Sequence, residues 1–287
     1  MRIHIITAFP GMFDGFMRES MLARALTQGI LSIVIHDLRD FADDPHRTID
    51  DTPFGGGGGM ILKPEPVGRA IESICPVRNG SGGMPLIIPT PRGELFNQSV
   101  AGELARQTHL VFVCGHYTGI DERIYDYFQP RRLCVGDYVL SGGELPAMAI
   151  VDATSRLLPG FLGNEDSGKG DSFVRSGLGA PQYTRPQNWR GLEVPDVLIS
   201  GHHAKVAEWR DQSARETTQR FRPDLNGSPI TLSQDRSAGR GLDGVSSEGV
   251  LKKPRPAEQR QGDDEIASSL VPRRGGELPP RNNCKDN

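Results

Sequence analysis

The sequence predicts an α/β fold in which helices cover both faces of a parallel sheet. Short apolar runs, each typical of a strand, alternate along residues 1–163 with segments that have helical periodicity. The runs are almost entirely apolar rather than alternating with polar residues, which is expected for strands that are buried on both sides. Together these two observations predict the α/β class.

The elements follow in a regular order. The expected strands lie at residues 3–9, 31–35, 86–88, 110–114 and 133–135. The expected helices lie at residues 12–27, 64–74, 99–108, 121–128 and 146–158. In the first helix, Phe13, Phe16 and Met17 lie on one face, so this helix can pack on the sheet.

Composition excludes several classes of protein. The 33 Lys and Arg against 36 Asp and Glu give a net charge of -3, so nucleic acid cannot be held by bulk charge and any such site must be local. The four cysteines lie far apart and predict neither a disulfide framework nor a zinc site, which indicates a reducing, cytosolic compartment. The chain shows no signal-peptide pattern and no apolar run long enough for a membrane helix.

A composition shift divides the chain. Residues 164–170 contain no large apolar side chain, so a linker is expected at 164–176 between a first domain, 1–163, and a second, 177–225. The second domain has enough apolar residues for a small core and one helix, expected at 203–220. Residues 226–287 contain no Phe, Tyr or Trp and are expected to be a disordered tail.

Three Gly-rich or Pro-rich loops follow expected strands, at residues 89–93, 115–119 and 136–146. Ligands of open α/β sheets bind beyond the carboxyl ends of the strands, so these loops predict one shared ligand cleft. For residues 136–146, a loop wrapped around a flat ligand and a structural turn before a helix that begins near Pro146 fit equally well.

Two further segments are rich in glycine. Residues 54–60 contain five glycines and follow His46, Arg47 and Asp50, which favours a substrate-facing loop over a floppy surface loop. Residues 163–170 match the phosphate loop G-x-x-x-x-G-K, but Gly170 replaces the magnesium-binding Ser or Thr and no strand precedes it. A nucleotide hydrolase is therefore only a weak rival.

The sequence resembles one known family. Residues 136–146 read Gly-Asp-Tyr-Val-Leu-Ser-Gly-Gly-Glu-Leu-Pro, and they are accompanied by Cys114-Gly115-His116-Tyr117 and His46-Arg47-Thr48. This set is similar to the bacterial tRNA (guanine-N1)-methyltransferases. The resemblance covers about residues 1–225.

The resemblance implies a SPOUT-type domain with a C-terminal trefoil knot, although general topology rules alone predict an unknotted chain. It also implies a small, mainly helical tRNA-binding domain and a homodimer with a composite active site. The implied reaction is methyl transfer from S-adenosylmethionine to N1 of guanine 37 in cytoplasmic tRNA, without DNA or a membrane as partner. Family members typically need a divalent ion such as Mg²⁺, but no cluster of metal ligands is visible in the sequence.

Site residues follow from the same resemblance. The base that removes the guanine proton is Asp171, and the cation that stabilises the resulting charge is Arg156. His46, Arg47 and Asp50 are the implied substrate contacts. The implied cofactor-binding residues are Ile88, Pro89, Thr90, Pro91, Gly115, Tyr117, Gly119, Val135, Gly136, Asp137, Tyr138, Val139, Leu140, Gly142, Gly143 and Pro146.

Some features depart from the family pattern. Thr118 stands where the family usually has Glu, Gly58 replaces a residue that is commonly Pro, and the family's helical C-terminus is not recognisable beyond Leu225. Without the resemblance, Asp171 would be read as a helix N-cap and Arg156 as an exposed helix residue. The alternatives are a knot-fold methyltransferase that acts on another RNA site, and a nonenzymatic RNA-binding relative.

Overall fold

A five-stranded parallel sheet forms the centre of the protein, in the strand order β2-β1-β6-β5-β7. Its strands are β1 (Arg2–Thr7), β2 (Ser32–Asp37), β5 (Leu86–Leu95), β6 (His109–Val113) and β7 (Arg131–Cys134). The computed structural model describes residues 1–75, 84–164, 168, 170–174 and 177–225. The predicted α/β class is confirmed.

Helices cover both faces of this sheet. They are α1 (Asp14–Arg18), α2 (Ser20–Thr27), α3 (Pro64–Ile74), α4 (Gln98–Ala105), α5 (Glu122–Phe128) and α6 (Glu144–Ser155). Leu110 and Phe112 pack with α2, α4 and α6 in one buried cluster, whereas Val111 and Val113 pack with α3 and α5 in another. Successive side chains of β6 therefore point to opposite faces of the sheet. Because both faces are buried, all four of these residues have to be apolar.

The first predicted helix is interrupted. Residues 12–27 divide into a 3₁₀ turn (Pro10–Phe13), α1 and α2. The break falls at Glu19, which is extended (φ -117°, ψ 155°), and at Ser20, which has φ 61°. The apolar spacing continues across the break, so the pattern alone did not reveal it.

Strand β5 is longer than expected, and this corrects the prediction of a loop at residues 89–93. The pairing with β7 passes from Pro89 to Glu94, both opposite Leu133, through a bulge. The bulge brings Gly93 so close to β7 that a Cβ atom there would lie 2.5 Å from the backbone of Arg132 and Leu133. Proline and glycine indicated a loop, but a bulge accommodates both residues within a strand.

Residues 42–63, which showed no strand periodicity, contain two short strands. β3 (Asp50–Asp51) pairs antiparallel with β4 (Ile61–Leu62). The five-glycine segment lies between them, and Phe54 at its start is fully exposed. Strands of two residues are too short to produce a recognisable pattern.

The described part of residues 177–225 contains a short hairpin and two helices. These are β8 (Asn188–Trp189), β9 (Leu192–Glu193), α7 (Asp196–Ile199) and α8 (His203–Phe221). The small core expected here is not closed in the single chain, because Trp189 is 55% exposed and Phe221 is 62% exposed. One long helix and a hairpin whose strands have only two residues each offer too little surface to cover these rings.

Several sequence-based predictions fall partly or wholly outside the described residues. The tail at 226–287 is one, and half of the 163–170 segment is another. Within the described ranges, no helix is long and apolar enough to cross a membrane.

Candidate active site

A cavity of about 270 Å³ opens beside the β5 bulge and the carboxyl ends of β6 and β7. All three predicted segments contribute to its wall, although residues 89–93 do so from within strand β5 and not as a loop. Of the predicted cofactor residues, those on the cavity wall are Pro89, Thr90, Pro91, Gly115, Tyr117, Gly119, Val135, Gly136, Tyr138, Val139, Leu140, Gly142, Gly143 and Pro146. Ile88 is instead fully buried in the core, and Asp137 is exposed away from the wall.

The loops after β6 and β7 touch through their backbones. The N–H of Gly143 donates to the carbonyl of Gly115 at 2.6 Å, and Gly142 forms a β-bridge with His116. A Cβ atom on Gly143 would lie 2.9 Å from the Cα of Cys114, so only glycine permits this approach. Steric crowding thus explains why both Gly142 and Gly143 of the signature are glycine.

Glu144, the first residue of α6, is buried beside this contact and is 1% exposed. Its Oε1 accepts a hydrogen bond from the Thr7 hydroxyl at 2.8 Å, and its Oε2 lies 3.5 Å from Nδ1 of His116. Burial, and secondarily the charge of Glu144, raises the pKa of the Cys114 thiol well above its usual range. The thiol is therefore neutral and adds no second charge.

Tyr125 and Arg92 contribute an aromatic and a cationic side chain to the wall, and Arg132 lies behind them. Arg132 lies 4.2 Å from the ring centroid of Tyr125, and Arg92 lies 5.7 Å from it. Both arginines also pair with Glu122, at 3.2 and 2.7 Å. Burial raises the pKa of Tyr125, so its hydroxyl remains protonated and able to donate.

The glycine-rich segment is attached to the cavity by Thr118. The backbone N–H and the hydroxyl of Thr118 both donate to the carbonyl of Met60. Next to it, the N–H of Leu62 donates to the carbonyl of Gly119 at 3.0 Å. Thr118, which departs from the family pattern, therefore holds the glycine-rich segment against the β6 loop.

The predicted substrate residues lie at the end of the β3–β4 pair that is opposite to the glycine-rich segment. Asp50 is half-buried and pairs with Leu62, whereas His46 and Arg47 are exposed. Arg47 is in the left-handed region (φ 55°) and forms an ion pair with Asp40. The β3–β4 pairing thus connects the predicted substrate loop to the cavity wall.

A turn orders the His46 loop. The carboxylate of Asp44 accepts the N–H of His46 at 2.9 Å and the N–H of Thr48 at 3.0 Å. Desolvation opposes ionisation there, but these hydrogen bonds outweigh it and lower the pKa of Asp44.

The two predicted catalytic residues contact each other. Nη2 of Arg156 donates to Oδ2 of Asp171 at 2.7 Å, and both side chains are partly exposed. Arg156 directly follows α6, which begins at the cavity. Neither residue lines the cavity of its own chain.

The segment after Asp171 is held by the C-terminal part of the chain. Gly179 donates its N–H to the Ser172 hydroxyl at 2.9 Å, and the Phe173 N–H donates to the Gly177 carbonyl at 2.8 Å. Thr218 on α8 then accepts the N–H of Leu178 at 2.9 Å. Helix α8 therefore fixes the position from which Asp171 projects.

Some wall residues were not predicted from the sequence. They are Arg92, His116, Thr118, Tyr125, Leu133, Cys134 and Ser141. Four of these lie inside the predicted loops and could have been included with their neighbours. Tyr125 lies on α5, and no local pattern separates a tyrosine facing a cavity from one facing the core. In the described ranges, no group of three or more His, Cys, Asp or Glu side chains is arranged to hold a metal ion.

The fold and cavity define an α/β protein with a cavity of ligand size beside the carboxyl ends of its parallel strands. A family model described as tRNA (Guanine-1)-methyltransferase TrmD matches residues 1–228, so the chain belongs to this family. The resemblance seen in the sequence is thereby confirmed.

Curated relatives agree with this assignment. A tRNA (guanine-N(1)-)-methyltransferase of Geobacillus kaustophilus is 51% identical over 225 residues, which are 78% of this chain and 91% of the relative. Proteins with the same name from Moorella thermoacetica and Geobacter sulfurreducens are 49% and 47% identical. These alignments cover 78% and 82% of this chain, and 90% and 95% of the relatives.

Proposed function

We propose that this protein transfers a methyl group from S-adenosylmethionine to N1 of guanine 37 in tRNA, in the cytosol. One observation carries the proposal: the loops that the family resemblance assigns to the cofactor line a single cavity, and α6 leads from that cavity to the Arg156–Asp171 pair. The relatives' names support a tRNA guanine as the substrate.

The cavity fits a cofactor with a flat ring and a polar tail. Its wall combines apolar surface from Leu133 and Leu140 with the hydroxyls of Thr90 and Ser141. Gly143 leaves room for the close backbone contact that closes the wall. S-adenosylmethionine, when bound, supplies a methyl group on a sulfonium centre.

Asp171 and Arg156 supply the acid–base and electrostatic parts of the reaction. The carboxylate of Asp171 takes the proton from guanine N1, which leaves the N1 electron pair free to attack a methyl carbon. Bound S-adenosylmethionine would supply that methyl group, and its sulfur would keep the electron pair of the broken carbon–sulfur bond. The guanidinium of Arg156 donates to the guanine O6, where negative charge develops. Because Arg156 bonds Oδ2 of Asp171, we assign proton acceptance to Oδ1.

A homodimer with a composite site explains the spacing of these groups. Helix α6 has 12 residues and is therefore about 18 Å long, which places Arg156 far from the cavity of its own chain. Val139 is 86% exposed and Leu145 is 55% exposed beside the cavity mouth, which gives a second copy an apolar surface to cover. We propose that the partner subunit's Asp171 reaches this mouth.

The remaining parts of the proposal concern fold and substrate. Membership in the family supports a trefoil knot in the 1–163 domain, followed by a linker at 164–176 and a tRNA-binding domain at 177–225. We propose that His46, Arg47 and Asp50 contact tRNA, and that a Mg²⁺ ion assists the reaction through ligands that we do not assign.

The proposal is tested with two tRNA transcripts that carry guanine or adenine at position 37. We expect labelled methyl groups from S-adenosylmethionine to enter only the guanine transcript. Equal incorporation into both would favour a methyltransferase of another RNA site. No incorporation, with the cofactor still bound, would favour a nonenzymatic relative.

The variant Asp171→Ala tests the base directly. We expect it to reduce methyl transfer by about 100-fold or more, since a positioned general base contributes on that order. S-adenosylmethionine binding, measured by calorimetry, should change little because the proposed role of Asp171 is to take the guanine proton, whereas the cavity wall that would hold the cofactor does not include Asp171. An active Asp171→Ala protein would remove Asp171 from its proposed role.

A further inference from the structure

Glu144 and His116 face each other across a gap that is slightly too long for a good hydrogen bond. Oε2 of Glu144 and Nδ1 of His116 are 3.5 Å apart. Both atoms are buried, and neither has a hydrogen-bond partner within the described residues. A buried carboxylate oxygen without a donor is costly, so a shorter contact between these two groups would be more favourable.

The pair lies where the carboxyl ends of β1 and β6 meet the start of α6. Glu144 begins α6, and the Thr7 hydroxyl that donates to its Oε1 is the last residue of β1. His116 follows β6, packs on Phe9 with ring centroids 4.4 Å apart, and bridges to Gly142. Both His116 and Gly142 are part of the cavity wall. A small shift of the wall is therefore enough to change the gap.

The chemistry of the two groups allows one good arrangement. An ionised carboxylate only accepts hydrogen bonds, and a neutral imidazole carries one N–H, on either nitrogen. Because Oε1 already accepts from Thr7, Oε2 is the atom that needs a donor, and Nδ1 of His116 is the group that faces it. Shortening the gap by about 0.6 Å gives an ordinary N–H···O bond.

We propose that Glu144 is a positioning residue that holds His116 in its Nδ1–H tautomer and, through His116 and Gly142, sets the cavity wall for the cofactor. Binding of the cofactor closes the gap, and the completed bond ties the wall to β1 through Thr7. The identity of the ligand rests on the proposed function. The tautomer of His116 is a property of the chain itself.

The variant Glu144→Gln tests this role, because it keeps the shape of the side chain. The Thr7 hydroxyl accepts the N–H of Phe9 and donates to Oε1, so the amide oxygen takes the place of Oε1 and the amide NH2 group takes the place of Oε2. An N–H facing Nδ1 requires the opposite tautomer of His116, with the proton on Nε2. We expect nuclear magnetic resonance of ¹⁵N-histidine-labelled full-length protein to show His116 with a protonated Nδ1 in the wild type and a bare Nδ1 in Glu144→Gln. The variant His116→Asn assigns the signal.

Calorimetry with S-adenosylmethionine gives the second readout. We expect Glu144→Gln to weaken binding by at least about tenfold, which corresponds to about 1.4 kcal/mol. The matched variant Glu72→Gln, an exposed acid-to-amide change on α3, should bind like the wild type. Unchanged binding by Glu144→Gln would overturn the positioning role.

The two proposals fail in different ways. A wild-type protein that does not bind S-adenosylmethionine contradicts the proposed function but leaves the tautomer measurement intact. A wild-type His116 with its proton on Nε2 overturns the inference even if methyl transfer occurs. That spectrum needs no variant other than the one used for assignment, so the inference is testable even if Glu144→Gln fails to fold.

Discussion

Gly93 shows how a single residue sets the geometry of the cavity. It lies in the β5 bulge. The wall residues Pro91 and Arg92 come directly before it, and the pairing of β5 with β7 resumes directly after it at Glu94. The absent Cβ atom lets two backbones approach more closely than any other residue permits. A bulge next to a ligand site redirects the side chains before it, which explains why Pro91 and Arg92 reach the wall.

The variant Gly93→Ala should therefore be strongly destabilising. Its Cβ atom would lie 2.5 Å from the backbone of Arg132, which cannot move aside as a flexible side chain could. We expect a loss of about 1–3 kcal/mol in the free energy of unfolding, measured by urea denaturation. Gly15→Ala is the matched control, because its Cβ atom meets nothing within 4 Å. Equal stability of the two variants would contradict the close approach.

Thr118 illustrates a departure from the family pattern that has a local role. Its hydroxyl and N–H both bond the Met60 carbonyl, and a Cβ atom on Gly59 would lie 2.7 Å from its Cγ2. Where the family usually has a carboxylate, this chain therefore has a short side chain that fastens the glycine-rich segment.

At the scale of elements, the β1–β2 pair contains two stacked histidines. Nδ1 of His4 lies 2.9 Å from Nε2 of His36, and the ring centroids are 5.2 Å apart. Burial lowers the pKa of both histidines, and for His4 the nearby charges of His36, Arg2 and His109 lower it further. The pair is therefore stable only while at least one ring is neutral.

This pair should make stability depend on pH. Because the folded-state pKa values lie below the ordinary 6.5, the unfolded chain binds more protons, and stability falls as the pH falls below about 6.5. We expect His36→Gln to flatten this dependence between about pH 7 and pH 5, measured by urea denaturation at several pH values. His203→Gln, a change at an exposed histidine on α8, should leave the dependence as it is. If the unfolding free energy of His36→Gln depended on pH as steeply as that of the wild type, the histidine pair would not be the source of the pH dependence.

The elements also show what local sequence patterns reveal. The α3 helix was predicted with its observed bounds, because Pro64 lies at its first position and its apolar spacing is regular. The end of β5 was not predicted, since the pairing of Leu95 with Cys134 depends on a strand that lies far along the chain. The break at Glu19 was also missed, because apolar spacing does not report backbone angles.

At the scale of the whole molecule, the proposed dimer predicts complementation between two inactive variants. Thr90→Trp fills the cavity, and Asp171→Ala removes the base. If each site combines one chain's cavity with the partner's base, a mixed dimer regains one complete site. Co-refolded equal amounts should give about a quarter of the wild-type methyl transfer, because half of the dimers are mixed.

The outcome separates the two arrangements. Each variant alone should be inactive, and both should keep the far-ultraviolet circular dichroism of the wild type. A mixture as inactive as its parts would place the cavity and Asp171 of one site in the same chain.

A truncation tests how much of the molecule the fold needs. The family model ends at residue 228, and residues 226–287 contain no aromatic side chain. We expect a chain that ends at Leu225 to retain methyl transfer and to shift its melting temperature by less than about 2 °C. A chain that ends at His202 should be much less stable, because it loses Thr218 and the contacts that hold Leu178. A large shift on the first truncation would show that the tail packs on the fold.

The sequence by itself determined the α/β class, the order along the chain of the principal strands and flanking helices, and three segments that share one cavity, of which residues 89–93 form a bulged strand and not the predicted loop. Burial on both faces of a sheet leaves a local apolar pattern, and residues next to each other in the chain carry it. Only the tertiary structure decided the contact of Thr7 with Glu144, which are 137 residues apart, and the pairing of Arg156 with Asp171. Such contacts depend on how distant segments meet in space, and no local pattern records that distance.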